Sequence, residues 1–321
     1  MSNARKLADN LPSVGQLGGR NLVINGAMEV SQRGTSFTAD GYSIDRFYHQ
    51  LSGGTSTLTQ ETFALGSELE GFTKYLKMVV ATGNDYCGIL HKVEDVKSLP
   101  QGKATLSFYA KGTNPAAGSL EVKIFRMHNG STVHDTLLNT TVTLTSSWQR
   151  FTNTFDVGSL SGMATPTDNS LIYIAIRQSG SDTGTAAWEL NLTGVQLEVG
   201  PQATPFEHEP EAVTLSKCQR YFYSAGHQNG HVTVRYGAST YRSRMYFEKR
   251  MRANPTITIS HVSGSNIRVY ASNGTSEDQA LSDIETNNIS RNGFRLQFNN
   301  VGMSGDSGYI LYLQYTADAE L

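Results

Sequence analysis

The chain has 321 residues, of which only 17% are charged, and its formal net charge is −2 at pH 7. A nearly neutral chain has no overall field that would draw it to nucleic acid or to an anionic membrane. Since no apolar run approaches the roughly 18 residues of a membrane span, and the N-terminus lacks the apolar core of a secretory signal, we expect neither membrane insertion nor secretion, and folding in a cytoplasm.

The first 20 residues are predicted to form an arm that stands apart from the folded domains. A short helix could end before Pro12, with Leu7 and Leu11 on one side and Arg5 and Lys6 nearby. Such a helix is too short to be stable alone. Two interpretations stay open: a disordered tail, or an arm that docks on another protein through these four side chains.

Residues 21–210 contain many short stretches in which apolar and polar residues alternate. Leu106, Phe108 and Ala110, for example, would share one face of a strand. Strands are predicted at 22–24, 28–30, 47–51, 75–80, 104–110, 120–127, 140–144, 148–157 and 171–177, and from Trp188 onwards. Strands this short and evenly spaced, without sustained helical periodicity, predict an antiparallel β-sandwich. Trp148 and Trp188 both fall in apolar phase and are predicted to lie in its core.

The strand that begins at Trp188 is predicted to carry a bulge. Its apolar residues follow one parity as far as Leu192 and the other parity after Gly194. A strand changes faces in this way only through an extra residue or a kink, so we place a bulge at Thr193–Gly194. Proline-rich extended chain follows, then a short helix over 211–218, and we place a domain boundary between residues 210 and 211.

Residues 211–321 repeat the strand pattern on a smaller scale. Strands are predicted at 231–236, 243–247, 256–260, 267–271, 294–298 and 309–315. The polar stretch 275–290 is predicted to be a long loop with one helical turn at 277–281. The predicted fold class is therefore all-β, with two consecutive antiparallel β-sandwiches after a short N-terminal arm.

Several blocks of sequence resemble one family of proteins. They are NLVINGAMEVSQRG from Asn21, GYSIDRFY from Gly41, VQLEVG, ATPFE and CQRYF between Val195 and Phe222, MRANPTITIS from Met251, and the final YTADAEL. Together they resemble bacteriophage tail-fibre and other receptor-binding virion proteins that contain a carbohydrate-binding-module-like jelly roll. The resemblance implies a jelly roll over 21–210, a C-terminal sandwich tip over 211–321, a homotrimer, and attachment to tail or adaptor proteins of the virion through residues 1–20.

A ligand-binding surface is predicted in the second domain, where YGASTYRSRMYFEKRMR alternates aromatic and basic residues. The predicted ligand-binding residues are Tyr236, Tyr241, Arg242, Arg244 and Tyr246. Aromatic faces stack on sugar rings, and arginine binds hydroxyl or anionic groups, so sugar or lipopolysaccharide is the expected ligand. The alternative is a strand with Met245 and Phe247 in the core and solvated arginines outside. Nucleic acid is not expected as a partner, since the chain is slightly acidic.

No cofactor is expected apart from a structural calcium ion, which the resemblance implies near the first and last strands of a jelly roll. Glu29, in the NGAMEV motif, stands where this family commonly supplies a carboxylate ligand. The last strand, however, has Thr193 and Gly194 where such proteins often have acidic residues. The candidate metal ligand is therefore Glu29 alone.

Signals for catalysis are scarce, and no enzymatic activity is expected. The sequence lacks GxSxG, HExxH and Walker motifs. Glu207, Glu209 and Glu211 have the spacing of paired carboxylates, but two prolines place them on a linker rather than in a cleft. The two cysteines, Cys87 and Cys218, form no metal-binding pair and are predicted to be free thiols.

Three functions remain open on the sequence. The favoured one is a fibre that attaches the virion to host cell-surface polysaccharide or lipopolysaccharide, located in the virion tail after synthesis in the host cytoplasm. The second is a structural virion component, such as a head decoration or a tail adaptor, without a receptor role. The third is a polysaccharide depolymerase.

Overall fold

Two all-β units make up the chain in the computed structural model, which describes residues 19–66, 69–82, 86–128, 133–161, 170–180, 186–236, 240–260, 266–270, 276–280, 284–299 and 309–321. Unit 1 is Met1–Thr214 and unit 2 is Leu215–Leu321. Each is built from antiparallel strands that form a sandwich, which confirms the predicted fold class. No described helix has the length and apolarity to cross a membrane. The predicted docking residues Arg5, Lys6, Leu7 and Leu11 lie outside the described residues.

The described strands of unit 1 form two six-stranded sheets. They are β1 (Ser36–Phe37), β2 (Gly41–Tyr42), β3 (Phe47–Leu51), β4 (Thr55–Thr62), β5 (Lys74–Thr82), β6 (Cys87–Glu94), β7 (Gly102–Gly112), β8 (Leu120–His128), β9 (Val133–Val142), β10 (Gln149–Val157), β11 (Leu171–Arg177) and β12 (Trp188–Val199). Sheet 1 has the order β1-β4-β5-β12-β7-β10, and sheet 2 has the order β2-β3-β6-β11-β8-β9. Their inner faces share one hydrophobic core.

The two tryptophans of unit 1 have different environments. Trp188 lies in the core with 2% of its surface exposed, and its indole N–H donates to Oε1 of Gln178 at 3.1 Å. Trp148 is half-buried on the outer face of sheet 1, where its ring packs 5.4 Å from that of Phe63 and 5.6 Å from that of Tyr75. The prediction of a core position is therefore confirmed for Trp188 and wrong for Trp148.

The predicted bulge in β12 is present. Its pairing with β7 shifts register between Thr193 and Gln196. Gly194 has a φ of 61°, and a Cβ atom there would lie 2.8 Å from the rings of both Phe72 and Tyr109. A side chain at this position would therefore be strained and crowded, which explains glycine where the strand changes faces.

The predicted strands at 22–24 and 28–30 are wrong, because side chains take over the hydrogen bonding of this segment. Oδ1 of Asn21 accepts the N–H groups of Val23 at 3.0 Å and of Leu197 at 3.1 Å. Asn25, with a φ of 63°, donates through Nδ2 to the carbonyls of Val30 and Asp45. The NLVINGAME motif is therefore a hydrogen-bonded turn rather than a pair of strands.

The carboxylate of Glu207 joins the two ends of the unit 1 sandwich. One oxygen accepts the N–H of Gly19 at 2.7 Å, and the other accepts the N–H of Asn21 at 2.9 Å. The backbone N–H of Glu207 itself donates to Oε1 of Gln196 at 2.8 Å. One of the three regularly spaced acids thus has a structural partner at each oxygen.

Unit 2 forms a smaller sandwich around β13. Its described strands are β13 (Phe222–Arg235), β14 (Thr240–Tyr246), β15 (Thr256–Ser260), β16 (Asn266–Tyr270), β17 (Ser276–Ala280), β18 (Ile284–Ser290), β19 (Gly293–Asn299) and β20 (Tyr309–Asp318). β13 pairs along most of its length with β20, and β20 also pairs with β15 and β16. The C-terminal end of β13 pairs with β14, and the order continues from β14 to β19 and β18.

The sequence-based prediction for the polar segments of this part is half right. Helix α1 (Glu211–Cys218) has the predicted bounds. The long loop and helical turn predicted over 275–290 are wrong, because this stretch contains the two strands β17 and β18. Both strands lie at the ends of the strand order of unit 2, where a strand pairs on one side only and needs little apolar sequence.

Candidate functional site

The outer side of sheet 2 carries a group of aromatic and basic side chains, which we call the tyrosine face. Its members are Tyr42, Tyr48, Lys92, Phe125 and Tyr173, all of them half-buried. In β3, β6, β8 and β11 the residues that alternate with them belong to the core. Because successive side chains of a strand point to opposite faces, the burial of one parity fixes the outward direction of the other.

Strand register brings these residues together from distant parts of the chain. Tyr48 lies opposite Tyr42 on one side and opposite Leu90 on the other. Lys92 lies opposite Tyr173, which in turn lies opposite Phe125. The tyrosine face therefore crosses five of the six strands of sheet 2.

Three of the four aromatic rings lie around the ammonium group of Lys92. Nζ of Lys92 lies 5.4 Å from the ring centroids of Tyr42 and Tyr173 and 5.6 Å from that of Tyr48. Tyr173 and Phe125 stack with their centroids 4.8 Å apart and their planes 9° from parallel. These contacts fix the tilt of each ring, so the face is preorganised rather than a set of freely rotating side chains.

A depression of about 280 Å³ opens at this face. It is lined by Asp40, Tyr48, Gln50, Leu51, Ser52, Leu90, Lys92 and Tyr173. Aromatic walls with a few polar groups are the usual composition of a small-molecule site, and the volume is close to the lower end of the range for such sites, roughly 300 Å³.

The hydroxyl of Tyr48 is held at the edge of this depression by Asp40, whose carboxylate accepts its hydrogen bond. The other oxygen of Asp40 accepts the N–H of Leu51 at 2.8 Å. Burial, together with the Asp40 carboxylate, raises the pKa of Tyr48 to about 12. Burial also raises the pKa of Tyr173. Both phenols therefore stay protonated and uncharged at neutral pH. Because the one proton of the Tyr48 hydroxyl is donated to Asp40, this hydroxyl can accept a hydrogen bond from a ligand while the ring stacks on it.

One end of the tyrosine face is closed by a buried arginine. Arg177, 8% exposed, donates through Nε to Glu121 at 2.9 Å and through Nη1 to Gln50 at 3.0 Å. Its guanidinium lies 4.0 Å from the ring centroid of Tyr86. Gly88 lies between Gln50 and Arg177 in the register, and a Cβ atom there would lie 2.2 Å from Cβ of Arg177. The absence of a side chain at Gly88 therefore leaves space for the side chain of Arg177.

The sequence did not single out the tyrosine face. Tyr48 and Tyr173 lie within correctly predicted strands, but their importance depends on the parity they occupy and on the pairing of β6 with β3 and β11. The available signal was the presence of aromatic residues on the polar parity of the strands at 47–51 and 171–177.

The described residues do not provide a set of side-chain ligands for the calcium ion predicted at Glu29. Both carboxylate oxygens of Glu29 accept the hydroxyl of Thr73 at 2.8 Å. Within the described part of the chain, no three or more His, Cys, Asp or Glu side chains are placed to hold a metal ion. Since calcium takes roughly six to eight oxygen ligands, these side chains do not fit it by themselves. Thr193, on the last strand, is buried and donates to the carbonyl of Lys74 at 3.0 Å.

Four of the five predicted ligand-binding residues of unit 2 lie on the outside of its sandwich. Tyr236, Arg244 and Tyr246 are exposed, and Arg242 is half-buried. Tyr241 requires a correction: it is 1% exposed, and its ring stacks on that of Phe298 with centroids 5.4 Å apart. Tyr241 belongs to the opposite parity of β14 and therefore to the core.

No protein-family model and no curated protein matches the sequence. Among solved structures, the chain is similar to a CBM4 protein (22% identity over 44% of this chain and 93% of that chain, TM-score 0.29). It is also similar to the N-terminal cellulose-binding domain of β-1,4-glucanase C from Cellulomonas fimi (20% identity, 55% and 95% covered, TM-score 0.31). A third is the enzymatically active domain of bacteriophage CBA120 tailspike protein 4 (15% identity, 56% and 21% covered, TM-score 0.35).

Proposed function

We propose that unit 1 binds a polysaccharide on the tyrosine face, and that the protein is a phage tail-fibre or receptor-binding protein that attaches the virion to host cell-surface glycan. The observation that carries the proposal is the depression between Tyr48 and Tyr173, with Asp40, Gln50 and Lys92 at its edge. Binding without catalysis accounts for this composition, because the aromatic rings and polar groups provide contacts and no pair of reacting carboxylates is required.

The side chains that line the depression have counterparts in a sugar. The apolar face of a sugar ring can stack on Tyr48 or Tyr173, while hydroxyl groups can pair with Asp40, Gln50 and Lys92. Neighbouring strands lie about 4.8 Å apart, so a face that crosses five strands extends for roughly 20 Å. A surface of that length suits an oligosaccharide segment better than one monosaccharide.

The virion role is supported by the sequence blocks that resemble tail-fibre proteins. In this proposal the protein is a homotrimer, and residues 1–20 attach it to tail or adaptor proteins through Arg5, Lys6, Leu7 and Leu11. It is made in the host cytoplasm and resides in the virion tail. Three copies per fibre would raise the effective concentration of weak glycan sites at a cell surface, so that each single site need not bind tightly.

Replacing Tyr173 or Tyr48 by alanine is expected to weaken glycan binding at least tenfold, because each substitution removes an aromatic surface on which a sugar ring stacks. A tenfold loss of affinity corresponds to about 1.4 kcal/mol of binding free energy. The measurement is isothermal titration calorimetry of the full chain with polysaccharide extracted from host cells. Tyr75→Ala is the matched control, since Tyr75 is a half-buried tyrosine on the outer face of sheet 1.

Equal affinity for the Tyr173, Tyr48 and Tyr75 variants would contradict the assignment to the tyrosine face. Absence of binding by the unmodified protein to any extracted surface polysaccharide would contradict the receptor role. Release of reducing ends during the titration would instead identify a depolymerase.

A further inference from the structure

The outer side of β14 in unit 2 presents aromatic and basic side chains to solvent. Tyr236 and Tyr246 are 70% and 69% exposed, which makes them the most exposed aromatic side chains among the described residues. The guanidinium of Arg242 lies 3.5 Å from the ring centroid of Tyr236, and that of Arg244 lies 6.0 Å from that of Tyr246. Two exposed aromatic rings beside two arginines on one face are unusual for a surface that only contacts water.

The neighbouring strand β19 adds a third arginine. Arg295 lies directly opposite Arg244, and Gln297 lies directly opposite Arg242. Nε of Arg295 donates to Oδ1 of Asn287 at 2.5 Å, and Nε of Arg242 donates to Oε1 of Gln297 at 2.8 Å. These neutral partners orient the two guanidinium groups without cancelling their charge. We call Tyr236, Arg242, Arg244, Tyr246 and Arg295 the arginine face.

The pair formed by Arg244 and Arg295 is electrostatically unfavourable as it stands. Like charges directly opposite one another in an antiparallel pair destabilise it. Among the described residues neither guanidinium forms an ion pair with a carboxylate, and the nearby Glu285 accepts a hydrogen bond from Nε2 of Gln297 at 3.2 Å. An anion placed between the two arginines would turn this repulsion into attraction, and the planar fork of arginine matches carboxylate, sulfate and phosphate oxygens.

We propose that the arginine face is a second binding site, specific for acidic polysaccharide. Arg244 and Arg295 bind an anionic substituent, while the rings of Tyr236 and Tyr246 lie against the sugar rings on either side of it. Arg242, held by Gln297, contributes a further donor. The site goes beyond the proposed function of unit 1, because it lies in unit 2 and selects its ligand by charge.

The test measures binding of the full chain to polygalacturonate (carboxylate), dextran sulfate (sulfate) and uncharged dextran by isothermal titration calorimetry. We expect the acidic polymers to bind and dextran to bind at least tenfold more weakly at this face, and added salt to weaken the acidic polymers. The double variant R244Q/R295Q should lose at least tenfold in affinity for them. The control K77Q/K103Q removes the same charge from unit 1 and should keep it.

Equal losses of affinity in R244Q/R295Q and K77Q/K103Q would overturn the proposal, because binding would then depend only on the net charge of the protein. Tighter binding of single-stranded DNA than of either acidic polymer would overturn the saccharide assignment. In a second variant, Y236A/Y246A, a change of mass in analytical ultracentrifugation would identify the face as a contact between copies and would also overturn it. Effects of Tyr173→Ala concern the tyrosine face alone, so the two proposals fail separately.

Discussion

Replacing Trp188 by alanine is expected to lower the free energy of unfolding of unit 1 by about 3–5 kcal/mol, the range for a large aromatic residue removed from a core. Trp188 is 2% exposed, and its loss would also leave Oε1 of the buried Gln178 without the indole donor. Trp148→Ala removes the same side chain from the outer face of sheet 1. There we expect a loss of about 0.5–1.5 kcal/mol, the worth of an aromatic contact beyond area burial.

Chemical denaturation followed by circular dichroism measures both variants. Each variant retains one tryptophan, so its fluorescence reports the same transition from the other face of sheet 1. Equal losses for Trp188→Ala and Trp148→Ala would contradict the core position of Trp188. The comparison holds residue type constant and varies only its side of sheet 1.

Acidification from pH 7 to pH 5 is expected to destabilise unit 1 by about 2 kcal/mol through His91, and by a smaller amount through His49. Burial, followed by the charge of Arg46, holds the pKa of His91 well below 6.5. Burial also lowers the pKa of His49. Below pH 6.5 these histidines become protonated in the unfolded chain but stay neutral in the native chain. The free energy of unfolding is therefore highest above that pH and decreases as the pH falls.

The measurement is the unfolding temperature between pH 7 and pH 5, for the unmodified protein and for His91→Leu. The variant should show a shallower decrease with acid, since leucine has no proton to take up. Asp45 acts in the opposite direction, because burial raises the pKa of its carboxyl group. The native state therefore binds this proton at a higher pH than the unfolded chain does. A decrease as steep in His91→Leu as in the unmodified protein would show that other groups control the acid response.

The alternation of apolar and polar residues was sufficient to predict strands that have one buried and one solvent-facing side. The predicted bounds 47–51 and 171–177 coincide with β3 and β11. It failed for β6, whose residues from Cys87 to His91 are buried on both parities, so that no alternation marks the strand. It failed again for β17 and β18, whose sequences are too polar to resemble strands.

The candidate sites show a similar division between local and long-range information. The parity of β14 is enough to group Arg242, Arg244 and Tyr246, although the sequence-based prediction also included Tyr241 from the opposite parity. Tyr236 follows β13 and joins the group through its contact with Arg242. Arg295 joins them only through the register of β14 with β19. The tyrosine face depends on register throughout, because Tyr48, Lys92 and Tyr173 come from three strands that are far apart in the chain.

The hydrogen bonds from Gly19 and Asn21 to Glu207 have a consequence for protein engineering. They hold the first and last described segments of the unit 1 sandwich side by side, so both ends leave the fold at one place. A domain with adjacent ends can be inserted into a surface loop of a host protein without stretching either connection. For the same reason, a circular permutant that links these ends by a short peptide and opens elsewhere retains every strand pairing of the two sheets.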